Sequence, residues 1–442
     1  MISTAPAPDL SGTEDLDRLG TRCAQSAMTL TREAEATPPR QLRDFGIPEI
    51  TARLIPMAPG HLRRVLRETP GLPQGRNEGG ARWFTLEEVD EIRAHLERSG
   101  TPGRYRPWRP VGAAPKIIAL VNPARGSGRT TLALHLAMAA ALDGYRVRAI
   151  DLDPGAGLTA ALGDPGPAGE GAQDTALALF ARQAALHLRG QNQARLDRGD
   201  APVPMDAVLG AALETAPAAL ARPTHWPGIA LVPARPELAL ADLHIPQWRT
   251  QIRGWRPWEA LSRELARPPQ DGEAAPDLVI LDTPPSLGPL ALAAAAAADV
   301  LLVPLEGDAA GTARAGQAFG MLHSAFAAIE EEEAAAARAL GTQRVSFAWD
   351  ALRAVITRYD PIAQGRAAGA IQAGLGPALA AARIEAAPIL AQESAVYEAV
   401  PRPGRRGGDR QGLARARASF DAAYAEIRDL LQEGWRRGAE AR

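Results

Sequence analysis

The chain has 442 residues, of which 46% are hydrophobic, and a formal net charge of −2, so no global positive field draws it to nucleic acid and any such binding must be local. Cys23 is the single cysteine, which excludes an internal disulfide and a multi-cysteine metal site. The polar, acidic start MISTAPAPDLSGTEDLDRL is unlike a signal peptide, and the longest apolar stretch, Leu287 to Pro304, is interrupted by Pro289 and Asp299, so a cytoplasmic protein of two or three domains is expected.

Residues 1–40 read as a polar extension with one weak helical pattern, Leu16 to Leu30, ending at Pro38-Pro39. Residues 41–98 carry short helices: Ile47, Ile50 and Leu54 recur at helical spacing, HLRRVLRE follows a Pro/Gly turn, and Thr85 with Glu88 forms a capping-box signature after a glycine-rich hairpin. Residues 99–114 read as a linker. From 115 to 442, strand candidates at 116–121, 146–151, 229–233, 278–282, 300–304 and 353–357 alternate with alanine-rich helical stretches. That alternation predicts an α/β fold, a doubly wound and mostly parallel sheet, preceded by a small helical domain. Residues 164–222 read as a helical insertion with loops, and Glu330 to Glu333 as a solvated helix face.

VNPARGSGRTTLALHLA, at 121–137, has the layout of a phosphate-binding loop opening a helix. Gly126, Ser127 and Gly128 supply the curl, Arg129 a cation, Thr130 a hydroxyl for Mg²⁺, and Thr131 lies one step into the helix. Arginine keeps the charge of the usual lysine without the same reach; since Lys116 is the only lysine in the chain, this exchange alone carries little information. Asp151 and Asp153 end one apolar run, and Asp282 ends another before Pro284-Pro285. Carboxylates at the C-terminal ends of parallel strands face the ligand crevice, and Asp282 suits a Walker-B role toward Mg²⁺.

Taken together these stretches resemble the ParA/MinD group of P-loop ATPases, most of all the RepA-type partition proteins of repABC plasmids. AIDLDPGAGLTAALG resembles the second motif of that group, LVILDTPPSLGPLALAAAAAADVLLVP the third, and VITRYDP and SAVYEA downstream segments. FGIPEITARLIPMAPGHLRRVLRE with RWFTLEEVDEIRAHL resembles its N-terminal helix-turn-helix. The resemblance implies ATP and Mg²⁺ as cofactors, with Arg125, Gly126, Ser127, Gly128, Arg129, Thr130 and Thr131 around the nucleotide. It also implies Thr130 and Asp282 at the metal, and Asp153 and Arg129 in catalysis. His61, Arg63, Arg64 and Arg67 would meet DNA, by phosphate contacts and base reading. Implied partners are operator DNA, a ParB/RepB-type protein and a second copy of the chain.

The departures fall at the chemistry. The family's signature lysine falls on Ala124, its next glycine on Arg125, where a side chain resists a left-handed backbone, its loop lysine on Arg129, and the glutamine of its second motif on Gly155. Arg125, one position from Ala124, is the candidate replacement for the signature lysine. Two readings follow: a partition ATPase that also represses its own operon, or a non-hydrolysing DNA-binding regulator on the same fold. A nitrogenase-like iron protein would need cluster cysteines in the α/β region, which Cys23 is not. The basic stretch 401–417 reads equally as a phosphate-contacting segment or a mobile loop. Phe420, Tyr424, Ile427, Leu431 and Trp435, at helical spacing, read as a core-packed helix, with membrane association the alternative.

Overall fold

In the predicted strands 278–282 and 300–304 valine, isoleucine and leucine run without polar interruption, which suits a parallel sheet covered on both faces. The computed structural model contains that sheet. Its strands are β4 (Lys116–Leu120), β5 (Val147–Asp151), β6 (Arg222–Pro223), β7 (Ile229–Val232), β8 (Leu278–Asp282), β9 (Val300–Glu306), β10 (Ala351–Tyr359) and β11 (Leu379–Glu385). They lie in the order β11-β10-β9-β4-β8-β5-β7-β6. All pairings are parallel except β6 with β7. The structure describes residues 21–22, 42–100, 103–110, 112–163, 174–267, 275–340, 345–391, 396–398 and 408–440. The Leu16–Leu30 pattern (apart from Thr21 and Arg22), Cys23, and residues 401–407 of the basic stretch lie outside them.

Side chains alternate across the sheet. Ile118, Leu120, Ile280 and Leu302 face one apolar layer, covered by the helices Arg129–Asp143 and Gly408–Glu440. Ile117, Ala119, Val279 and Leu281 face the other, covered by helices that include Leu177–Leu196, Pro289–Ala297 and Ala309–Leu340. The C-terminal helix buries Phe420, Tyr424, Ile427, Leu431 and Trp435 in the first layer, so its apolar stripe is core. No described helix is long and apolar enough to cross a membrane.

Residues 42–99 fold as short helices with a small antiparallel sheet. A short helix Ile47–Glu49 runs into a π-helical turn Ile50–Leu54, and the helix Pro59–Glu68 follows. A three-stranded wing then has β1 (Phe45–Gly46), β3 (Ala81–Phe84) and β2 (Arg76–Glu78) in that order, closed by Gly79-Gly80 at positive φ. The helix Leu86–Ser99 starts at the capping box, with Thr85 Oγ1 accepting from Glu88 N and Glu88 accepting from Thr85 N.

The expectation at Glu330–Glu333 needs correction, and three other stretches are held by the core. Within the stretch read as a linker, residues 103–110 are held in place: Glu97 accepts from the backbone N–H of Tyr105 and Arg106, Arg109 pairs with Asp277, and Trp108 packs on the core. The helical unit also shares an apolar cluster with the sheet, and fully buried Arg93 donates to the Leu54 and Leu142 carbonyls, both at 2.8 Å. Within the run Glu330–Glu333 only part is solvated, because Glu333 is buried against Arg256 and Glu330 accepts from Phe347 N. Residues 174–222 of the stretch read as an insertion contribute to the core, with Leu177, Phe180, Ala184 and Leu188 buried from the longer helix.

Candidate functional site

β4 lies at the middle of the sheet, with β9 on one side and β8 on the other, so the chain leaves it at a switch point where the sheet opens a crevice. The loop that follows is staked to its neighbours. Val121 N donates to Leu302 O, and Asn122 Nδ2 donates to Pro304 O while its Oδ1 accepts from Ala124 N. The left-handed positions fall on Gly126 (φ 75°) and Gly128 (φ 86°), and Arg125 is not at positive φ. The strain expected at Arg125 is therefore absent, and its side chain is exposed. A Cβ at Gly128 would stand 3.2 Å from the Thr357 side chain, so only glycine fits there. No side chain caps the helix Arg129–Asp143, which leaves its first N–H groups facing the loop.

Arg129 is buried, and its fork turns inward. Nε donates to Thr283 O at 3.1 Å, and Nη1 to the carbonyls of Ala124 (2.9 Å) and Asn122. Burial lowers its pKa, and the Asp282 and Asp153 charges oppose that shift.

Three carboxylates converge from β5 and β8. Asp151 is buried and saturated, accepting from Thr159 N (2.9 Å), Thr159 Oγ1 (2.8 Å) and Asp153 N (3.1 Å). Asp153 is half-buried, and its Oδ1 accepts from Gly155 N at 2.9 Å. Asp282 is fully buried beside the Thr130 hydroxyl, yet neither of its oxygens reaches a partner in hydrogen-bond geometry. Burial, reinforced by the nearby Asp151, pushes its pKa well up. An orphaned buried carboxylate is costly, and a bound cation is what relieves it.

A cavity of about 440 Å³ opens beside the loop, lined by Gly128, Thr131, Thr357 and Arg358 on one side and by Ile384, Ala386, Pro388 and Phe420 on the other. Sequence reasoning missed this cavity. Its walls come from β11 and the turn after it, and alanine-rich LAAARIE has too little β-branched character to announce a strand. A larger cleft of about 1290 Å³, lined in part by Trp108, Arg146 and Asp277, opens at the opposite ends of the strands, away from the loop and the three carboxylates.

The helix Pro59–Glu68 buries Leu62 and Leu66 and exposes His61, Arg63, Arg64 and Arg67 on its other side. Arg64 Nη2 lies 3.1 Å from His61 Nδ1, and Arg67 pairs loosely with Glu68. On the adjacent wing, Arg76 is tied to Asp44 and Glu78, and Arg82 to Gln74.

Residues 115–324 match the family described as an AAA domain. The "Putative replication protein A" of Rhizobium rhizogenes is 28% identical over 342 residues, covering 76% of this chain and 74% of that protein. The protein of the same description from Sinorhizobium fredii NGR234 is 26% identical over 401 residues, covering 90% and 88%. "Probable plasmid-partitioning protein ParA" of Thermus thermophilus is 31% identical over 208 residues, covering 46% and 49%. A solved "Partition Protein" shares the fold with a TM-score of 0.57 at 17% identity, over 94% of this chain and 99% of that one. The glycine loop at the switch point and its flanking carboxylates agree with these similarities: residues 115–324 form a P-loop domain of that AAA description, in a chain similar to plasmid replication and ParA partitioning proteins.

Proposed function

We propose that this protein is a plasmid partition ATPase: a nucleotide-dependent dimer in the cytoplasm that binds operator DNA through its winged helical unit, engages a ParB/RepB-type partner and represses its own operon. The observation that carries the nucleotide half is Asp282, orphaned and buried beside Thr130 at the foot of the glycine loop. Thr130 and Asp282 would hold Mg²⁺, which when bound neutralises phosphate charge. Backbone N–H groups from Gly126 to Thr131 would cradle the phosphates, and the apolar cavity beside Thr131 is of a size to take the base. Asp153 would orient the attacking water, with Arg129 meeting developing charge once its fork leaves the loop carbonyls.

One observation favours a second reading, a regulator that binds nucleotide without turning it over. The Arg129 guanidinium is spent on the carbonyls of Asn122, Ala124 and Thr283, which withholds it from a phosphate. Turnover of Mg·ATP by the purified protein separates the two.

The DNA half rests on the exposed arginine face of the helix Pro59–Glu68. Arg63→Ala with Arg64→Ala should weaken binding to the upstream operator by about 1–3 kcal/mol for each base-reading hydrogen-bonded pair removed. The full chain is the right material, since the winged unit shares its core with the sheet. Operator affinity unchanged in a gel-shift titration would remove this helix from the interface.

A further inference from the structure

Among the described residues only Ala156 and Arg358 adopt positive φ without being glycine, and both flank the phosphate loop. Arg358, at φ 52°, ends the run Ile356-Thr357-Arg358 of β10. A side chain persists in that backbone region only where its surroundings impose it. Thr357 supplies the constraint: its Oγ1 donates to Ser127 O at 2.8 Å and to Leu305 O at 3.2 Å, which ties the end of β10 to the loop. The next residue is thereby carried to the loop's rim.

The Arg358 guanidinium lies 3.6–4.0 Å from where a Cβ of Gly126 would stand, and it lines the cavity beside Thr131. It is not consumed by the fold. Its side chain is 62% exposed, with one pairing to Glu306 at 3.0 Å. Glu306 also holds Arg314, so it keeps a cation if Arg358 departs. An exposed ion pair of this kind adds little to stability. In the loop itself position 124 is alanine and the Arg129 fork is turned onto carbonyls, so Arg125, exposed at the loop, is the other guanidinium beside Arg358 that a phosphate chain could meet.

We propose that Arg358 is a nucleotide-binding residue that exchanges Glu306 for the phosphate chain, contributing from β10 the cation that Ala124 does not. The proposal rests on the nucleotide site described above. A guanidinium suits the task, because its fork donates two parallel bonds to phosphate oxygens.

The test is calorimetric titration of Mg·ATP and Mg·ADP into wild type, Arg358→Gln, Arg358→Glu, Arg358→Lys and Glu306→Gln, each with its melting temperature. Arg358→Gln should weaken both nucleotides by roughly ten- to a hundredfold, the effect of removing a charge-assisted hydrogen bond. Arg358→Glu should be weaker still through repulsion of the phosphates, and Arg358→Lys should recover part of the affinity. Glu306→Gln, which releases Arg358, should bind at least as tightly as wild type. The unliganded melting temperature should hardly move with Arg358→Gln. Affinity of Arg358→Gln within about twofold of wild type, no more than an exposed ion pair would give, overturns the proposal. Equal affinities for the Gln and Glu variants also overturn it, since the arginine would then not be meeting phosphate. Wild type that binds no Mg·ATP defeats the nucleotide site itself, and that failure is read from the wild-type titration alone.

Discussion

Asp153→Ala is expected to abolish ATP hydrolysis while leaving Mg·ATP affinity close to wild type. Of the two carboxylates that end the second motif, Asp151 is buried and its oxygens are taken by Thr159 and the Asp153 backbone. Asp153 is half-buried, engages only the Gly155 N–H through Oδ1, and is close enough to Arg129 and Asp282 to bear on both charges. A group that positions or deprotonates water acts in the transition state and contributes about 10²–10⁴ in rate, with little effect on ground-state binding. Single-turnover phosphate release and calorimetry on the same preparation check this. Retained turnover would move the role to another residue, and abolished binding would make Asp153 part of the fold of the site.

Ala124→Lys combined with Arg129→Lys should raise turnover by about a hundredfold, the scale on which misplaced charge at a reacting centre is felt. Arg129 spreads its fork over the Asn122, Ala124 and Thr283 carbonyls, whereas a lysine carries one compact ammonium and cannot serve all three at once. The ammonium is then free to meet phosphate. Lysine at position 124 returns the cation that the family resemblance leads one to expect there. Arg125 can stay, because the loop takes its left-handed turns at Gly126 and Gly128. Steady-state kinetics at saturating Mg·ATP is the measurement. A rate no higher than wild type would mean that the limit lies outside the loop.

The parallel sheet and the positions of the three carboxylates were legible because both follow from local pattern. Val279 to Leu281 are buried between two layers of helices and read as an apolar run, and Asp282 ends that run where the strand meets the crevice. The capping box at Thr85 is likewise a signal only a few residues long. What stayed hidden depends on long-range geometry. Nothing near Arg129 in sequence says that its fork will bond to Thr283, and nothing near Arg358 places it beside Gly126. Arg93 has a helix-surface look, yet it is fully buried because the winged unit packs on the helix Arg129–Asp143. The wall of the cavity around Ile384 and Pro388 went unseen because an alanine-rich edge strand resembles the helices around it.

Calorimetric titration of wild-type protein with ATP, with and without Mg²⁺, tests the central claim most directly. With Asp282 buried and unpartnered beside Thr130, binding should be stoichiometric with the chain, saturable and strongly dependent on magnesium, and it should raise the melting temperature. No heat of binding and no thermal shift at high Mg·ATP would contradict the account and leave the loop as a turn that joins a strand to a helix.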